Sequence, residues 1–202
     1  PLNGKNVKAT GIARLEGNEV NVNSLDLKFV QASGEVGFSN ANISVNGLTA
    51  SLFGQPVALE LAGNQLSDEY LLDIELSGNW AAQPLIEKVN PAFADYLSGD
   101  AQWRTDVSVS LGKNGFQYNA SMTSELAGVE SRLPAPFYKD AMTVKQLMVL
   151  VDGDQDVSDI TLNVGNDISF SGVLPHDTKQ FAGAHLALGN SDIVGLGTGF
   201  SI

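Results

Sequence analysis

The chain has 202 residues, with 11 Lys plus Arg against 23 Asp plus Glu, a formal charge of −12 and a pI near 4.3. That balance excludes a nucleic-acid binder working by phosphate neutralisation, which concentrates cations on one face, and it argues against docking on anionic lipid headgroups. With 43% apolar and only 17% charged residues the chain is too hydrophobic to stay disordered, and its length suits a single β-rich domain at roughly 100–200 residues per domain. Cysteine is absent, which removes disulfides, thiolate nucleophiles and Cys-ligated zinc.

Period-two alternation, which sends successive side chains to opposite faces of a strand, runs through most of the chain. Leu25, Leu27 and Phe29 alternate with Asp26 and Lys28, and Ile43 and Val45 with Asn42, Ser44 and Asn46. Val57, Leu59 and Leu61 follow, then Leu72, Ile74 and Leu76 against Asp73, Glu75 and Ser77. From Gln83 to Leu97 the pattern changes: Leu85, Val89, Phe93 and Tyr96 recur at helical spacing. Pro84 and Pro91 suit first helical turns, and Pro91 breaks a continuous helix, so two short helices are expected, with Asn90 capping the second and Gly99 at the end. Alternation resumes with Val107, Val109 and Leu111, then Phe116, Tyr118, Ala120 and Met122, then Ile160, Leu162 and Val164, and finally Ile168 and Phe170. Turn chemistry punctuates these runs at Gly17-Asn18, Asn46-Gly47, Gly63-Asn64, Gly112 to Gly115, Asp152-Gly153-Asp154 and Gly165-Asn166-Asp167. The spacing leaves no room for crossover helices, so an antiparallel meander of about a dozen strands is expected. Residues 1–202 read as one β-rich domain, within which 1–80 and 99–202 are two similar modules joined by the helical segment 83–97. Pro1 opens the chain without Met or a signal sequence, which predicts a piece excised from a longer protein. The longest apolar run, Leu147 to Val151, is far short of the roughly 20 residues that span a bilayer, so no transmembrane segment is expected in this piece.

Chemistry is poorly represented. His176 and His185 stand in no metal-binding pair, and no GxSxG elbow precedes a helix. Gly195, Gly197 and Gly199 form a GxGxG string with only three residues after it, too few for a phosphate-holding helix. Asp152, Asp154, Asp156 and Asp159 resemble the start of a calcium loop, but Val157 stands where the turn needs Gly and Asn163 where a bidentate Glu belongs. A solvated hairpin tip is the expectation there. No catalytic residue, metal or cofactor is assigned, and the chain reads as a non-enzyme.

The dry face of such a sheet must be covered by another sheet, by helices or by something that is not protein. About fifteen helical residues cannot shield a dozen strands. Either the sheet closes on itself as a sandwich or barrel, or its apolar face lines a groove. Patterning alone favours the sandwich, because self-burial is the commoner solution.

Three segments resemble the AsmA-like superfamily, and within it the large YhdP-type envelope proteins of Gram-negative bacteria. Gly34 to Gly63 runs from a Gly-x-x-x-Phe strand to the turn Leu52-Phe53-Gly54-x-Pro56-Val57. Tyr96 to Leu111 carries Leu97, Ser98, Gly99 and Trp103, and Leu126 to Lys139 carries a Leu-x-Gly step followed by Leu133-Pro134-Ala135-Pro136 and Lys139. The resemblance implies a fold that is mainly all-β: an antiparallel, strongly curved amphipathic sheet forming a groove or open sandwich, with a short helical segment near 83–97. It implies a periplasmic segment of an inner-membrane-anchored parent, flanked by neighbouring repeats of that parent, shielding or conducting phospholipid acyl chains between the inner and outer membranes. Every second residue of each strand then faces the acyl chains. The expected groove floor includes Leu27, Phe29, Leu59, Leu61, Leu72, Ile74, Val107, Val109, Phe116 and Tyr118. The two Pro residues of the Leu133 to Pro136 string donate no backbone hydrogen bond, which suits a rigid edge or rim.

Two other classes compete with the lipid groove. One is a purely structural β-sandwich module of an envelope protein with a self-buried core. The other is an enzyme or carbohydrate-binding domain using Trp80 and Trp103 as stacking platforms.

Overall fold

The structure, a computed structural model, describes residues 8–22 and 27–189 together with the backbone of a last strand at 199–201. In chain order the elements are β1 (Thr10–Val22), β2 (Leu27–Ser39), β3 (Asn42–Leu52), β4 (Gln55–Gln65), β5 (Tyr70–Ala81), α1 (Ala82–Val89), a 3₁₀ helix (Pro91–Tyr96), β6 (Leu97–Ser98), β7 (Asp100–Gly112) and β8 (Gly115–Ser124). They continue with β9 (Glu130–Ser131), β10 (Leu147–Asp154), β11 (Val157–Val164), β12 (Ile168–Pro175), β13 (Gly183–Leu188) and β14 (Gly199–Ser201). The ten long strands and β13 pair antiparallel with their sequence neighbours in one open sheet, β14 adds parallel to β13, and β6 and β9 form a separate two-residue ribbon. The expected alternation at Leu25 and Asp26, like Gly195 and Gly197, lies outside the described residues.

The sandwich favoured by patterning is not what forms. Among the described residues no second sheet covers the first and no large side chain is fully buried. A two-layer core would seal several. No described helix is long and apolar enough to cross a membrane.

The helical interruption forms as two short helices, as expected. Asn90 separates them, and its Oδ1 accepts the Ala92 N–H at 3.1 Å, while Pro91 opens the second. This connection leaves and re-enters the same sheet, because β5 and β7 pair without a break from Tyr70↔Leu111 to Ala81↔Asp100. The described parts of 1–80 and 99–202 therefore share one ladder.

Two of the expected turns are bulges instead. Gly17-Asn18 lies inside β1, at register shifts between Glu16 and Val20, and Asn46-Gly47 lies inside β3, at a shift between Val45 and Leu48. Gly17 has φ +76° and Gly47 has φ +66°. A bulge asks for the same left-handed backbone as a hairpin turn, so composition does not separate the two. Asp152-Gly153-Asp154 likewise lies within β10, and the turn falls one step later at 155–156. The bulges gather in β1–β3 and bend those strands, giving the sheet its curvature.

Connections emerge at two strand-end rims. One rim carries the loops at 40–41, 66–69, 113–114, 155–156 and 176–182. The other carries the longest two, 82–99 and 125–146, which interlock through the β6–β9 ribbon and through Arg132, whose backbone N–H donates to the Tyr96 carbonyl at 2.9 Å. Leu133 to Pro136 belongs to this second rim. At its centre Lys139 is buried; its Nζ donates to the Val129 carbonyl at 2.7 Å and the Asp140 carbonyl at 3.1 Å. Burial holds its pKa below the ordinary lysine value.

Gly99 has φ +80°, and a Cβ there would collide with the Gly128 carbonyl oxygen of the facing connection. Gly17→Ala, with a similar φ and open space around it, is expected to cost about 1 kcal/mol, and Gly99→Ala about 2–4 kcal/mol, read from urea midpoints at unchanged m-value. Lys139 gives a pH signature. At a pH between its lowered folded pKa and the ordinary lysine value the unfolded chain binds the extra proton, so stability rises with pH in that alkaline window and stays at its lower level beneath it. Lys139→Met is expected to abolish that rise and, by stranding two carbonyls, to lower stability by about 1–3 kcal/mol. Urea unfolding across the alkaline range measures both.

Candidate functional site

Residues that face each other across an antiparallel ladder share one face of the sheet, so the pairing register shows which side chains stand together. One row can be followed through all eleven antiparallel strands: Ala13, Val36, Val45, Leu61, Ile74, Val107, Ala120, Val151, Ile160, Gly172 and Ala184. Not one member is polar. At about 4.8 Å per strand the row is about 48 Å long. The next row towards the second rim, from Leu59 through Leu76, Thr105, Met122, Val149, Leu162 and Phe170 to Leu186, is also uncharged.

Curvature turns the β1–β8 part of this face into a trough of about 490 Å³, within the range of small-molecule pockets. All ten side chains expected on the groove floor line it: Leu27 and Phe29 from β2, Leu59 and Leu61 from β4, Leu72 and Ile74 from β5, Val107 and Val109 from β7, and Phe116 and Tyr118 from β8. It also takes Val20, Val22, Ala32, Val45, Leu48, Ala50, Leu76 and Leu111, which the expected floor omits. Val45, Leu76 and Leu111 follow the alternation that supplied the ten. Ala32, Leu48 and Ala50 do not: the bulges after Val30 and Val45 each shift the inward phase by one residue. Gln31 at φ +56° and Gly47 at φ +66° mark those steps.

The opposite face carries the charge. Glu60, Glu75 and Asp106 stand in one cross-strand row, where like charges repel. Arg104 offsets this, its Nη2 lying 2.8 Å from Glu75 and 3.1 Å from Asp106. Asp152 and Asp159 face each other on the same side.

Towards the second rim the trough meets a plug. Trp80 and Trp103, each 8% exposed, pack edge to face at 4.5 Å, and Phe53 sits edge-on to Trp80 at 6.2 Å. Gly78 makes room for them, since a Cβ there would lie 3.0 and 3.1 Å from the two indole nitrogens. The Trp80 indole N–H donates to the Pro56 carbonyl at 2.6 Å, and Gln55 both donates to the Ala81 carbonyl and accepts its N–H. The structure therefore brings the two tryptophans together and buries them, which overturns the reading of Trp80 and Trp103 as stacking platforms.

Among the described residues no group of three or more His, Asp or Glu is arranged to hold a metal ion. Asp154 instead accepts the backbone N–H groups of Asp156 and Val157 at 2.8 and 3.0 Å, closing the β10–β11 turn, and these bonds hold its pKa below the ordinary carboxylate value. His176, which has no sequence motif around it, joins a hydrogen-bonded chain on the trough side: its Nε2 is 2.7 Å from Ser158 Oγ, which is 2.5 Å from the Tyr118 hydroxyl.

The family model described as "YhdP protein" matches residues 1–198, extending to both ends a resemblance that the sequence motifs carry in the middle. The protein titled "Intermembrane phospholipid transporter YhdP" of Escherichia coli (strain K12) is 33% identical over 173 residues, which is 85% of this chain but 14% of that protein's length. No solved structure gives a significant match. With the family model matched over nearly the whole chain, this protein belongs to the YhdP family.

Proposed function

We propose that this chain is one stretch of a non-enzymatic trough that shields phospholipid acyl chains from water on their way between the inner and outer membranes of a bacterial envelope. It stands in the periplasm as part of an inner-membrane-anchored parent, with neighbouring repeats of that parent continuing the sheet at its edges. The apolar row through eleven strands carries this reading. Each methylene removed from water gains about 0.8 kcal/mol, so a chain of about fifteen gains on the order of 12 kcal/mol against any uncharged apolar wall. Headgroups stay in water at the open side. The ten predicted floor residues act as that wall, and none needs chemistry of its own. Similarity to a protein titled as an intermembrane phospholipid transporter supports the same reading.

The architectural alternative asks the apolar face to bury itself. Leu61, Leu72, Ile74, Val107 and Val109 are all only partly buried, which favours a face awaiting an external occupant.

A charge inside the trough separates the two readings. In full-length protein purified without detergent, Ile74→Asp is expected to lower bound phospholipid, counted by native mass spectrometry, by about tenfold or more, because the carboxylate loses its water under an acyl chain. Glu75→Gln, one residue away on the outer face, is expected to change nothing. Protein that carries no phospholipid before any substitution, or that loses none with Ile74→Asp, sinks the proposal.

A further inference from the structure

The trough stops at Phe116 and Tyr118 on β8, yet the apolar row continues through Ala120 to Val151 and Ile160, the last two half-buried. At this junction lies the inward-facing row Leu72, Val109, Tyr118, Gly153, Ser158 and Leu174. Its central members are unlike their neighbours. Gly153 leaves β10 bare, and the Tyr118 ring occupies the vacant place: a Cβ on Gly153 would lie 2.7 Å from the ring Cζ and hydroxyl. Phe116 stacks alongside, with ring centroids 6.1 Å apart and planes 29° apart.

A hydrogen-bond chain fixes the far end of the ring. His176 Nδ1 is 3.0 Å from the Gln155 carbonyl, which can only accept, so Nδ1 carries a proton and donates. In the neutral imidazole Nε2 then accepts the Ser158 hydroxyl proton at 2.7 Å, and Ser158 Oγ accepts from Tyr118 at 2.5 Å. Ser158 is 4% exposed and has both hydrogen-bonding functions used. A phenol held this way lies across Gly153; released or displaced, it leaves that place for another staggered rotamer.

We propose that Tyr118 gates the trough: Ser158 and His176, as positioning residues, hold its ring flat across Gly153, and that posture lets an acyl chain pass from the concave β1–β8 section onto the apolar face of β10–β13. The gate rests on the reading of the trough as an acyl-chain path. The need for it is physical. An upright ring would stand beside Ala120, one position from the row through which methylene contacts must continue, and narrow the passage there, whereas a flat one presents its apolar face as another rung of the wall.

The test uses full-length protein in intact cells, with a photo-crosslinking amino acid replacing either Ile74, inside the trough, or Ile160, beyond the junction, and labelled phospholipid as the readout. Both positions are expected to capture lipid in otherwise unaltered protein. Gly153→Ala, which pushes the ring off the sheet, is expected to cut capture at Ile160 by about tenfold while capture at Ile74 persists, and Ser158→Ala to reduce it in the same direction. Adding Tyr118→Ala to Gly153→Ala is expected to restore capture at Ile160, and the urea midpoint of Gly153→Ala is expected to stay near that of the unaltered protein, which local misfolding of β10 would lower. Unchanged capture at Ile160 with Gly153→Ala, or a loss that Tyr118→Ala fails to restore, overturns the gate while leaving the trough standing. Absence of lipid at both positions before any further substitution overturns the trough reading and the gate with it.

Discussion

Everything in this protein depends on keeping one face of a single sheet apolar across eleven strands. Strand side chains alternate with a period of two, so a slip of one residue in any strand would move its whole apolar set to the outer face and put its charged set inside. The ladder from Ala13 to Ala184 has no such slip, although three of its pairings contain bulges. Each bulge is compensated in the sequence that follows it: after Asn46-Gly47 the inward residues become Leu48 and Ala50, where uninterrupted alternation would have turned Gly47 and Thr49 inward. Sequence and bulge are matched, and curvature is gained without loss of face.

An apolar face that no second sheet covers among the described residues shapes the remainder of the molecule. Opposite it, the acidic row Glu60, Glu75 and Asp106 keeps the outer surface wetted, with Arg104 placed where crowding of like charge is greatest. At the second rim the two longest connections fold onto the strand ends, and their polar backbone is satisfied locally, by the Asn90 cap, the β6–β9 ribbon and the buried Lys139 ammonium. Trp80, Trp103 and Phe53 then supply a packed region that the open sheet lacks elsewhere. Burial is thus concentrated at that rim and in the bulged strands beside it, where Phe29, Ala32, Leu48 and Val57 join the two tryptophans in one apolar cluster. The face beyond them is left half-covered.

Much of this was legible in the sequence, because alternation is local. Strand type, the antiparallel meander, the two short helices and the placement of the ten expected side chains along the trough follow from spacing alone or from spacing with the family motifs. What spacing could not supply was phase across a bulge. Ala32, Leu48 and Ala50 were invisible for that reason: Asn46-Gly47 reads equally as a turn, and nothing in the residue type announces the positive φ of Gln31. Nor could spacing supply contacts between distant residues: Trp80 meets Trp103 only through the β5–β7 register, and His176 meets Ser158 only once β12 has returned past β11. The sandwich expectation failed on a different ground. It assumed that a dry face must be covered by the same chain, an assumption about what surrounds the protein and not about the strands.

A path for acyl chains has a requirement that a binding pocket does not. A pocket gains by making one position of its ligand much better than the rest, but a path must offer nearly equal contacts at every step, or the chain stops at the deepest one. On the reading proposed above, repetition of Leu, Ile, Val and Ala at the spacing of adjacent strands supplies that equality, because moving by one strand exchanges one aliphatic contact for another of similar size. No charge and no long polar side chain along the middle row offers a stopping point. Aromatic rings are the exceptions: the tryptophans stand at the second rim and Tyr118 one position towards the first, while Phe170 and Phe181 lie against Gly172 in the row itself. Gly153 and Gly172, whose neighbouring aromatic rings lie over them, keep the wall level where a ring must be accommodated. Glycine therefore serves two opposite ends in this sheet, bending it at the β1–β3 bulges and keeping it flat enough further along for one row to run without a step.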